Sequence, residues 1–97
     1  MTINRPRKAI MYTVYFLQSI KSGKFYVGQT VKDPRERLKE HNEGLQRWTN
    51  QYRPFRLVYY ERFHCREDAE ERERFYKMGI GKEMRKVLLA YIISKGR

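Results

Sequence analysis

The sequence predicts an α+β domain in which a small, mainly antiparallel sheet of three strands is flanked by helices, in the order β-β-α-β-α-α. Two observations support this class. First, β-branched and aromatic residues are concentrated in three short segments, which is typical of strands. Second, charged segments with helical spacing lie between and after them, bounded by capping residues or glycines.

The first two strands are predicted to form a hairpin. The segment MYTVYFLQ, residues 11–18, is followed by the short connection SIKSGK, which contains Gly23. The second strand, FYVGQ, ends near Gly28. The third strand, RLVYYE at 56–61, follows a polar loop that contains Pro54.

The first helix has both a start signal and a stop signal. Asp33 is an N-cap candidate, Pro34 suits the first helical position, and Glu36 completes a capping box with Asp33. Gly44 is suited to the C-terminal cap and is expected to end the helix.

Two further helices are predicted near the end of the chain. One spans about residues 66–78 and is stopped by Gly79 and Gly81. The other spans about 82–93, and its residues at core spacing are Met84, Val87, Leu88, Tyr91 and Ile92.

The length and composition predict one domain at 11–95, preceded by a flexible basic arm at 1–10. The single cysteine, Cys65, excludes an intramolecular disulfide and a cysteine-cluster zinc site, and it fits a reducing compartment. No apolar segment has the length of a signal peptide or of a membrane span. We therefore expect a cytoplasmic protein without a membrane partner.

The charge balance indicates a polyanionic partner. Lysine and arginine number 22 against 11 aspartates and glutamates, which gives a net charge of +11. Such a surface binds phosphates because their neutralisation releases condensed counterions. A membrane surface is the competing polyanion, but the basic residues are spread along the chain rather than gathered on one amphipathic helix. Nucleic acid is therefore the expected partner.

The first predicted helix carries a histidine within its apolar stripe and an arginine at the edge of that stripe. On a helical wheel, Arg37 lies beside His41, while Arg35, Lys39 and Glu40 point to solvent. The stripe itself consists of Pro34, Leu38, His41 and Leu45. This pattern fits a guanidinium and an imidazole directed toward the sheet, or simply a surface arginine beside a half-buried histidine.

The helix at 66–78 places a carboxylate on its apolar face. Glu73 shares that face with Ala69, Tyr76 and Ile80. A buried carboxylate needs a partner or a metal ion, because leaving it unpaired is costly. An exposed ion pair with Lys77, four residues later, is the simpler interpretation.

Two tyrosines of the hairpin are predicted to meet on one face of the sheet. Alternation along the strands puts Tyr15 and Tyr26 on the same side. Taken singly, each is as well explained by packing, with its hydroxyl bonded to water or a carbonyl.

Several of these motifs, taken in order, resemble those of the GIY-YIG nuclease family. They are TVY at 13–15, YVG at 26–28, Arg37-x-x-x-His41 and Ala69-x-x-Arg72-Glu73. The overall plan, over about residues 11–93, looks most like the small single-domain YhbQ/UPF0213 branch. Thr13 stands where the first motif of the family has glycine, and no asparagine follows the glutamate as it does in some members.

The resemblance implies a metal-dependent endonuclease that hydrolyses phosphodiesters, with DNA expected as the substrate before RNA. Tyr15 would activate water, with its phenolate favoured by the nearby cations Arg37 and Lys24. Arg37 would also bind the scissile phosphate and stabilise its developing charge. Glu73 would hold Mg²⁺ or Mn²⁺, which commonly keep several waters and need few protein ligands.

The remaining roles implied by the resemblance concern proton handling and positioning. Tyr26 would lend its hydroxyl to the water or the phosphate, and His41 would orient Tyr15 or accept its proton. Gly28 would let the backbone turn closely at this point.

Exposed basic and aromatic side chains are expected to contact the nucleic acid outside this site. They are Arg35, Lys39, Trp48, Arg53, Lys77 and Lys82. A non-catalytic nucleic-acid-binding module, acting by phosphate contacts and base stacking, is the alternative function. A monomer with one site would nick one strand, whereas cutting both strands would need a dimer or two visits. Repair, recombination and defence against foreign DNA are all compatible with this chemistry.

Overall fold

A computed structural model describes residues 10–45 and 47–95 of the chain, except for the side chain of Trp48. Most of the predicted basic arm, residues 1–9, therefore lies outside the described residues. The elements in chain order are β1 (Tyr12–Ser19), β2 (Phe25–Thr30), α1 (Pro34–Asn42), α2 (Arg47–Asn50), β3 (Phe55–Phe63), α3 (Arg66–Lys77) and α4 (Gly79–Lys95). The predicted order β-β-α-β-α-α is confirmed, and the short helix α2 is an addition to it.

The three strands form one antiparallel sheet in the order β2-β1-β3. The central strand, β1, is buried along most of its length. Because side chains alternate along a strand, Val14 and Phe16 face one side of the sheet while Tyr15 and Leu17 face the other. The two sides therefore have different packing partners.

One side of the sheet carries the main apolar core. Its buried residues come from β1, β2, α3 and α4: Val14, Phe16, Val27, Ala69, Tyr76 and Leu89. The other side packs on α1 through a smaller cluster, in which Leu38 and Tyr26 contact Tyr15, Leu17 and Phe55. The sheet thus lies between α1 on one side and α3 with α4 on the other.

A polar network anchors α3 to β3 on the side of the main core. The Glu61 carboxylate accepts hydrogen bonds from the hydroxyls of Tyr59 at 2.8 Å and Tyr76 at 2.6 Å, and from Arg72 Nε at 2.8 Å. Arg72 also donates to Tyr76 Oη at 2.8 Å. The Arg72 that precedes Glu73 in the sequence motif therefore fixes the position of α3.

Helix α1 begins at the predicted cap. Asp33 Oδ1 accepts the Arg35 backbone N–H at 2.8 Å, and Pro34 occupies the first turn. At the other end Gly44 follows the C-cap residue with a φ of 81°, a conformation that glycine adopts at little cost. Leu45 was expected on the apolar stripe, but it is 65% exposed because it lies beyond this turn.

Helix α4 begins three residues earlier than the sequence predicts. Gly79, with a φ of 50°, starts α4 instead of separating the two helices. Gly81 is buried, and a Cβ at this position would lie 1.9 Å from the carbonyl oxygen of Phe75. A glycine is therefore required here for α3 and α4 to approach each other. Among the described residues, no helix is both long and apolar enough to cross a membrane.

The buried face of α4 differs from the predicted one. Leu89 is only 2% exposed and joins the main core, whereas Met84, Val87 and Tyr91 are more than half exposed. The prediction was wrong for these three because apolar residues occur around much of α4. Leu88 packs against the core as predicted.

The stability of matched variants tests this assignment of the α4 face. We expect Leu89→Ala to lower the free energy of unfolding by about 2–5 kcal/mol, because it removes a fully buried side chain. Val87→Ala, at an exposed position of the same helix, is expected to change it by less than about 0.5 kcal/mol. Urea unfolding of both variants measures the difference, and a larger loss for Val87→Ala would contradict this packing.

Candidate active site

An open cleft of about 450 Å³ lies where β1, β2, α1 and α3 meet. Besides Gly28, four side chains singled out from the sequence line it: Tyr15, Tyr26, Arg37 and Glu73. They come from four different elements, so the fold brings together side chains that are up to 58 positions apart in the sequence. We refer to this feature as the Tyr15 cleft.

Tyr15 lies directly across the sheet from Gly28. The register of β1 and β2 pairs these two residues, and the phenol ring occupies the space where a side chain at position 28 would be. A Cβ on Gly28 would lie 2.4 Å from Tyr15 Oη and 2.5 Å from Cζ. The glycine is therefore required by the position of the phenol ring, at a close approach between side chain and backbone.

The Tyr15 hydroxyl is hydrogen-bonded to His41 on α1. Tyr15 Oη lies 2.9 Å from His41 Nε2, and His41 Nδ1 lies 2.7 Å from Thr49 Oγ1 on α2. His41 is 0% exposed and Thr49 is 1% exposed, so this chain of three groups runs inward from the cleft. The rings of Tyr26 and Phe55 pack beside the imidazole, at centroid distances of 5.2 Å and 6.0 Å.

His41 is uncharged at neutral pH. Burial first, and then the nearby Arg37 guanidinium, lower the pKa of His41 to about 4, although Glu40 acts in the opposite direction. A neutral imidazole has one nitrogen that carries a proton and one that accepts. Tyr15 Oη accepts a hydrogen bond from Arg37, so its own proton is best satisfied by donation to His41 Nε2. In this arrangement Nδ1 carries the imidazole proton and donates to Thr49.

Tyr15 is also uncharged at neutral pH. Burial raises the pKa of Tyr15 to about 12, although the hydrogen bond from Arg37 and its charge act in the opposite direction. The expectation that neighbouring cations would hold Tyr15 as phenolate is therefore wrong, because desolvation outweighs them. The proton of Tyr15 has an acceptor already in place on His41.

Arg37 is held at the edge of the cleft by Glu40. Its Nη1 donates to Glu40 Oε1 at 2.6 Å, and the other carboxylate oxygen of Glu40 pairs with Lys32. Burial lowers the pKa of Arg37, but the hydrogen bonds to Glu40 and Tyr15 outweigh burial and raise it. Glu40 was expected to point to solvent, yet it is partly buried because it bridges these two cations.

Glu73 is partly buried and forms the ion pair that was the simpler interpretation. Its carboxylate lines the Tyr15 cleft and also pairs with Lys77 Nζ at 2.8 Å. Its charge is close enough to raise the pKa of Tyr15, as a minor contribution. Glu70, one turn earlier on α3, lines the same cleft. In the described part of the chain, no group of three or more histidine, cysteine or acidic residues is arranged to hold a metal ion.

The family model described as the GIY-YIG catalytic domain matches residues 11–85 of the chain. That range contains every side chain of the Tyr15 cleft.

The chain belongs to the GIY-YIG family. Members of this family are nucleases. Among solved structures, the solution NMR structure of the UPF0213 protein BH0048 from Bacillus halodurans is 33% identical to this chain. The match covers 81% of this chain and 84% of that one, with a TM-score of 0.48. A search of curated proteins found no match.

Lys24 lies outside the group of GIY-YIG motif residues that the fold brings together. Its Nζ is 5.2 Å from the centre of the Tyr52 ring, and it lines a different cavity with residues of α4. The structure therefore does not bring this lysine to the Tyr15 cleft. Its position next to the hairpin turn, at the end of β2 away from Gly28, accounts for this.

The residues predicted to bind nucleic acid are distributed around the surface. Exposed side chains are found at Arg35, Lys39, Arg53, Lys77 and Lys82. Of these, Arg53 donates to the carbonyl oxygen of Asn42 at 3.2 Å, and Lys77 is the ion-pair partner of Glu73. The side chain of Trp48 lies outside the described residues. Their role in binding stays a prediction.

Among the side chains near the site that sequence reasoning missed, Glu70 and Thr49 were missed for different reasons. Glu70 precedes Glu73 by three residues, a spacing that puts both on one helical face, so this signal was present in the sequence. Thr49 belongs to a four-residue helix that is too short for any periodicity. Its contact with His41 depends on how the loop folds back onto α1, and no local pattern encodes that.

The protonation state of His41 can be measured directly. We expect ¹⁵N NMR spectra of the imidazole to show a neutral ring at pH 6, protonated on Nδ1, that becomes charged only as the pH falls toward about 4. His41 and His64 are the two histidines of the chain, so His64→Gln assigns the signals.

Replacing the partner of Nδ1 provides the control. Thr49→Val keeps the shape of the side chain but removes the acceptor, and we expect it to shift the imidazole toward the form protonated on Nε2. Thr49→Ser is expected to retain the original form. A wild-type imidazole protonated on Nε2 would contradict the hydrogen-bond assignment.

Proposed function

We propose that this chain is a metal-dependent endonuclease that hydrolyses phosphodiester bonds in DNA and nicks one strand at each site. The observation that carries the proposal is the position of Tyr15 Oη. Tyr15 lines the cleft, and its hydroxyl is bonded both to His41 Nε2 at 2.9 Å and to Arg37. One phenol is thus linked to a proton acceptor and to a cation suited to phosphate.

In the proposed reaction Tyr15 takes the proton of the attacking water and passes its own proton to His41. Both groups are neutral beforehand, because burial raises the pKa of Tyr15 and lowers that of His41. Neither Tyr15 nor His41 therefore carries a charge before the proton transfer begins. Nε2 is the receiving atom, and donation from Nδ1 to Thr49 keeps the ring oriented for it.

Arg37 binds the scissile phosphate and stabilises the charge that develops on its oxygens. A guanidinium carries five N–H donors in one plane, so it can remain bonded to Glu40 and still donate to phosphate. The Glu40 contact fixes the plane of the guanidinium at the edge of the cleft. Tyr26, whose ring centre lies 6.3 Å from that of Tyr15, donates its hydroxyl to the phosphate or to the water.

The donor set of the cleft fits a hard divalent cation such as Mg²⁺ or Mn²⁺. Glu73 is the ligand we assign to it, and Glu70 supplies a second carboxylate on the same helical face. Mg²⁺ usually keeps several waters and takes one or two carboxylates, which agrees with an open site that has few protein ligands. When bound, such an ion neutralises phosphate charge. Glu73 would exchange its contact with Lys77 for the ion.

Cleavage of end-labelled single-stranded, duplex and branched DNA, with Mg²⁺, Mn²⁺ or EDTA, tests this function. We expect metal-dependent cutting that falls by at least about 10²-fold in Tyr15→Phe and in Glu73→Ala, because each removes a group needed for the chemistry. DNA binding, measured in the same samples with EDTA, is expected to persist in both variants.

Two matched variants control for the loss of a hydroxyl or a carboxylate as such. Tyr91→Phe changes an exposed tyrosine of α4 outside the cleft, and Glu71→Ala changes a glutamate of α3 that lines a different cavity. Both are expected to cut at close to the wild-type rate. Tight binding without cutting under any metal would contradict the proposal and favour a non-catalytic binding module.

A further inference from the structure

A second cavity of about 590 Å³ adjoins the Tyr15 cleft. The two share Val31 and Arg66, so they form neighbouring parts of one surface depression. Arg62 on β3 and Tyr12 on β1 also line the second cavity. None of its residues was singled out from the sequence as a site residue.

The sheet register puts Arg62 on the same side of the sheet as Tyr15. Thr13 pairs with Arg62, and Tyr15 pairs with Tyr60, in the antiparallel ladder between β1 and β3. Residues two apart on a strand share a face, so Arg62 lies one step further along the face that carries the phenol. The position of Arg62 is therefore set by the backbone of two paired strands.

The guanidinium groups of Arg62 and Arg66 are oriented by aromatic rings and not by carboxylates. Arg62 lies over the Tyr60 ring at 5.3 Å, and Arg66 lies over the Tyr12 ring at 5.0 Å. In the part of the chain that the structure describes, neither forms an ion pair or donates a side-chain hydrogen bond. By contrast, Arg37 and Arg72 are each bonded to a glutamate. The donors of Arg62 and Arg66 are thus available to a ligand.

Two carboxylates also line the second cavity and limit where an anion can lie. Asp33 is engaged at the start of α1, where it accepts the Arg35 N–H at 2.8 Å and lies 3.7 Å from the Arg35 guanidinium. Glu36, in the first turn of α1, remains as a negative charge. An anion is therefore favoured on the side formed by Arg62 and Arg66, away from Glu36.

We propose that the second cavity binds the DNA strand next to the scissile phosphodiester, with Arg62 and Arg66 each contacting a backbone phosphate. Arg66 lines both cavities and so joins this site to the Tyr15 cleft. The inference rests on the proposed function in taking the Tyr15 cleft as the place of the scissile phosphate. The ligand class is a phosphodiester chain, because two stacked guanidiniums offer fork-like donors to successive phosphates.

Salt-dependent binding tests the site without any cleavage. Fluorescently labelled single-stranded and duplex DNA is titrated with the full chain in EDTA at several salt concentrations. For Arg62→Gln and for Arg66→Gln we expect weaker binding and a slope of log Kobs against log salt that is smaller by about 0.7–0.9, the value for one lost phosphate contact.

Arg56→Gln is the matched control. Arg56 is an exposed arginine of the same strand, β3, but its guanidinium is bonded to Gln18 near the opposite end of that strand. This variant loses the same charge, and its salt slope is expected to stay close to that of the wild type. An equal change of slope in Arg56→Gln and the two test variants would overturn the proposal, because it would indicate a general effect of net charge.

A neutral methylphosphonate, placed at one linkage of the DNA at a time, locates the contact. In the wild type we expect two neighbouring linkages at which the substitution weakens binding. In Arg62→Gln the effect at one of them should disappear, since the arginine and the phosphate are then coupled partners. Additive losses at every linkage would overturn the assignment.

These measurements test DNA binding by the second cavity independently of the proposed nuclease function. If the slopes change as expected but the wild type cuts no DNA under any metal, the binding site stands and the nuclease proposal fails. If the wild type cuts DNA and both arginine variants keep the wild-type slope and affinity, the nuclease proposal stands and this inference is overturned.

Discussion

The close packing of the Tyr15 phenol on Gly28 is the constraint on which the rest of the site depends. The hairpin register sets these residues opposite each other, and the absence of a Cβ at position 28 leaves room for the ring. From there the hydroxyl reaches His41 Nε2 on α1. Gly28 therefore determines which atoms the phenol can contact, although it has no functional group of its own.

Burial gives this site its chemistry by keeping two titratable groups neutral. It raises the pKa of Tyr15 and lowers that of His41, so a proton donor and a proton acceptor face each other 2.9 Å apart. Arg37 supplies positive charge at the edge of the cleft, where a phosphate can reach it. Glu73 lies on α3, and the Glu61 carboxylate network fixes the position of this helix against β3. The structural network thus holds in place the helix that brings Glu73 to the cleft.

The sequence allowed most of the fold to be predicted, because its signals are local. Each signal depends only on residues a few positions away. Examples are the alternation of side chains along the strands, the Asp33 cap and the positive φ of Gly44. The buried face of α4 could not be predicted, since Leu89 and Val87 are equally apolar and only tertiary packing separates them. At the site, the protonation of Tyr15 was misjudged because desolvation depends on all the neighbouring elements. The position of Lys24 was misjudged because strand alternation does not set the direction of a side chain near a turn.

The most direct test of this account is DNA cleavage by Gly28→Ala, which leaves every functional group in place. A Cβ at this position would displace the Tyr15 ring, and a shift of about 1 Å is enough to lower a rate by roughly 10²-fold. We predict a loss close to that of Tyr15→Phe, in a protein whose circular dichroism shows an intact fold. Ile20→Ala, at an exposed position of the same hairpin away from the cleft, is expected to retain activity. Wild-type cleavage by a folded Gly28→Ala variant would contradict the central role of the Tyr15 position.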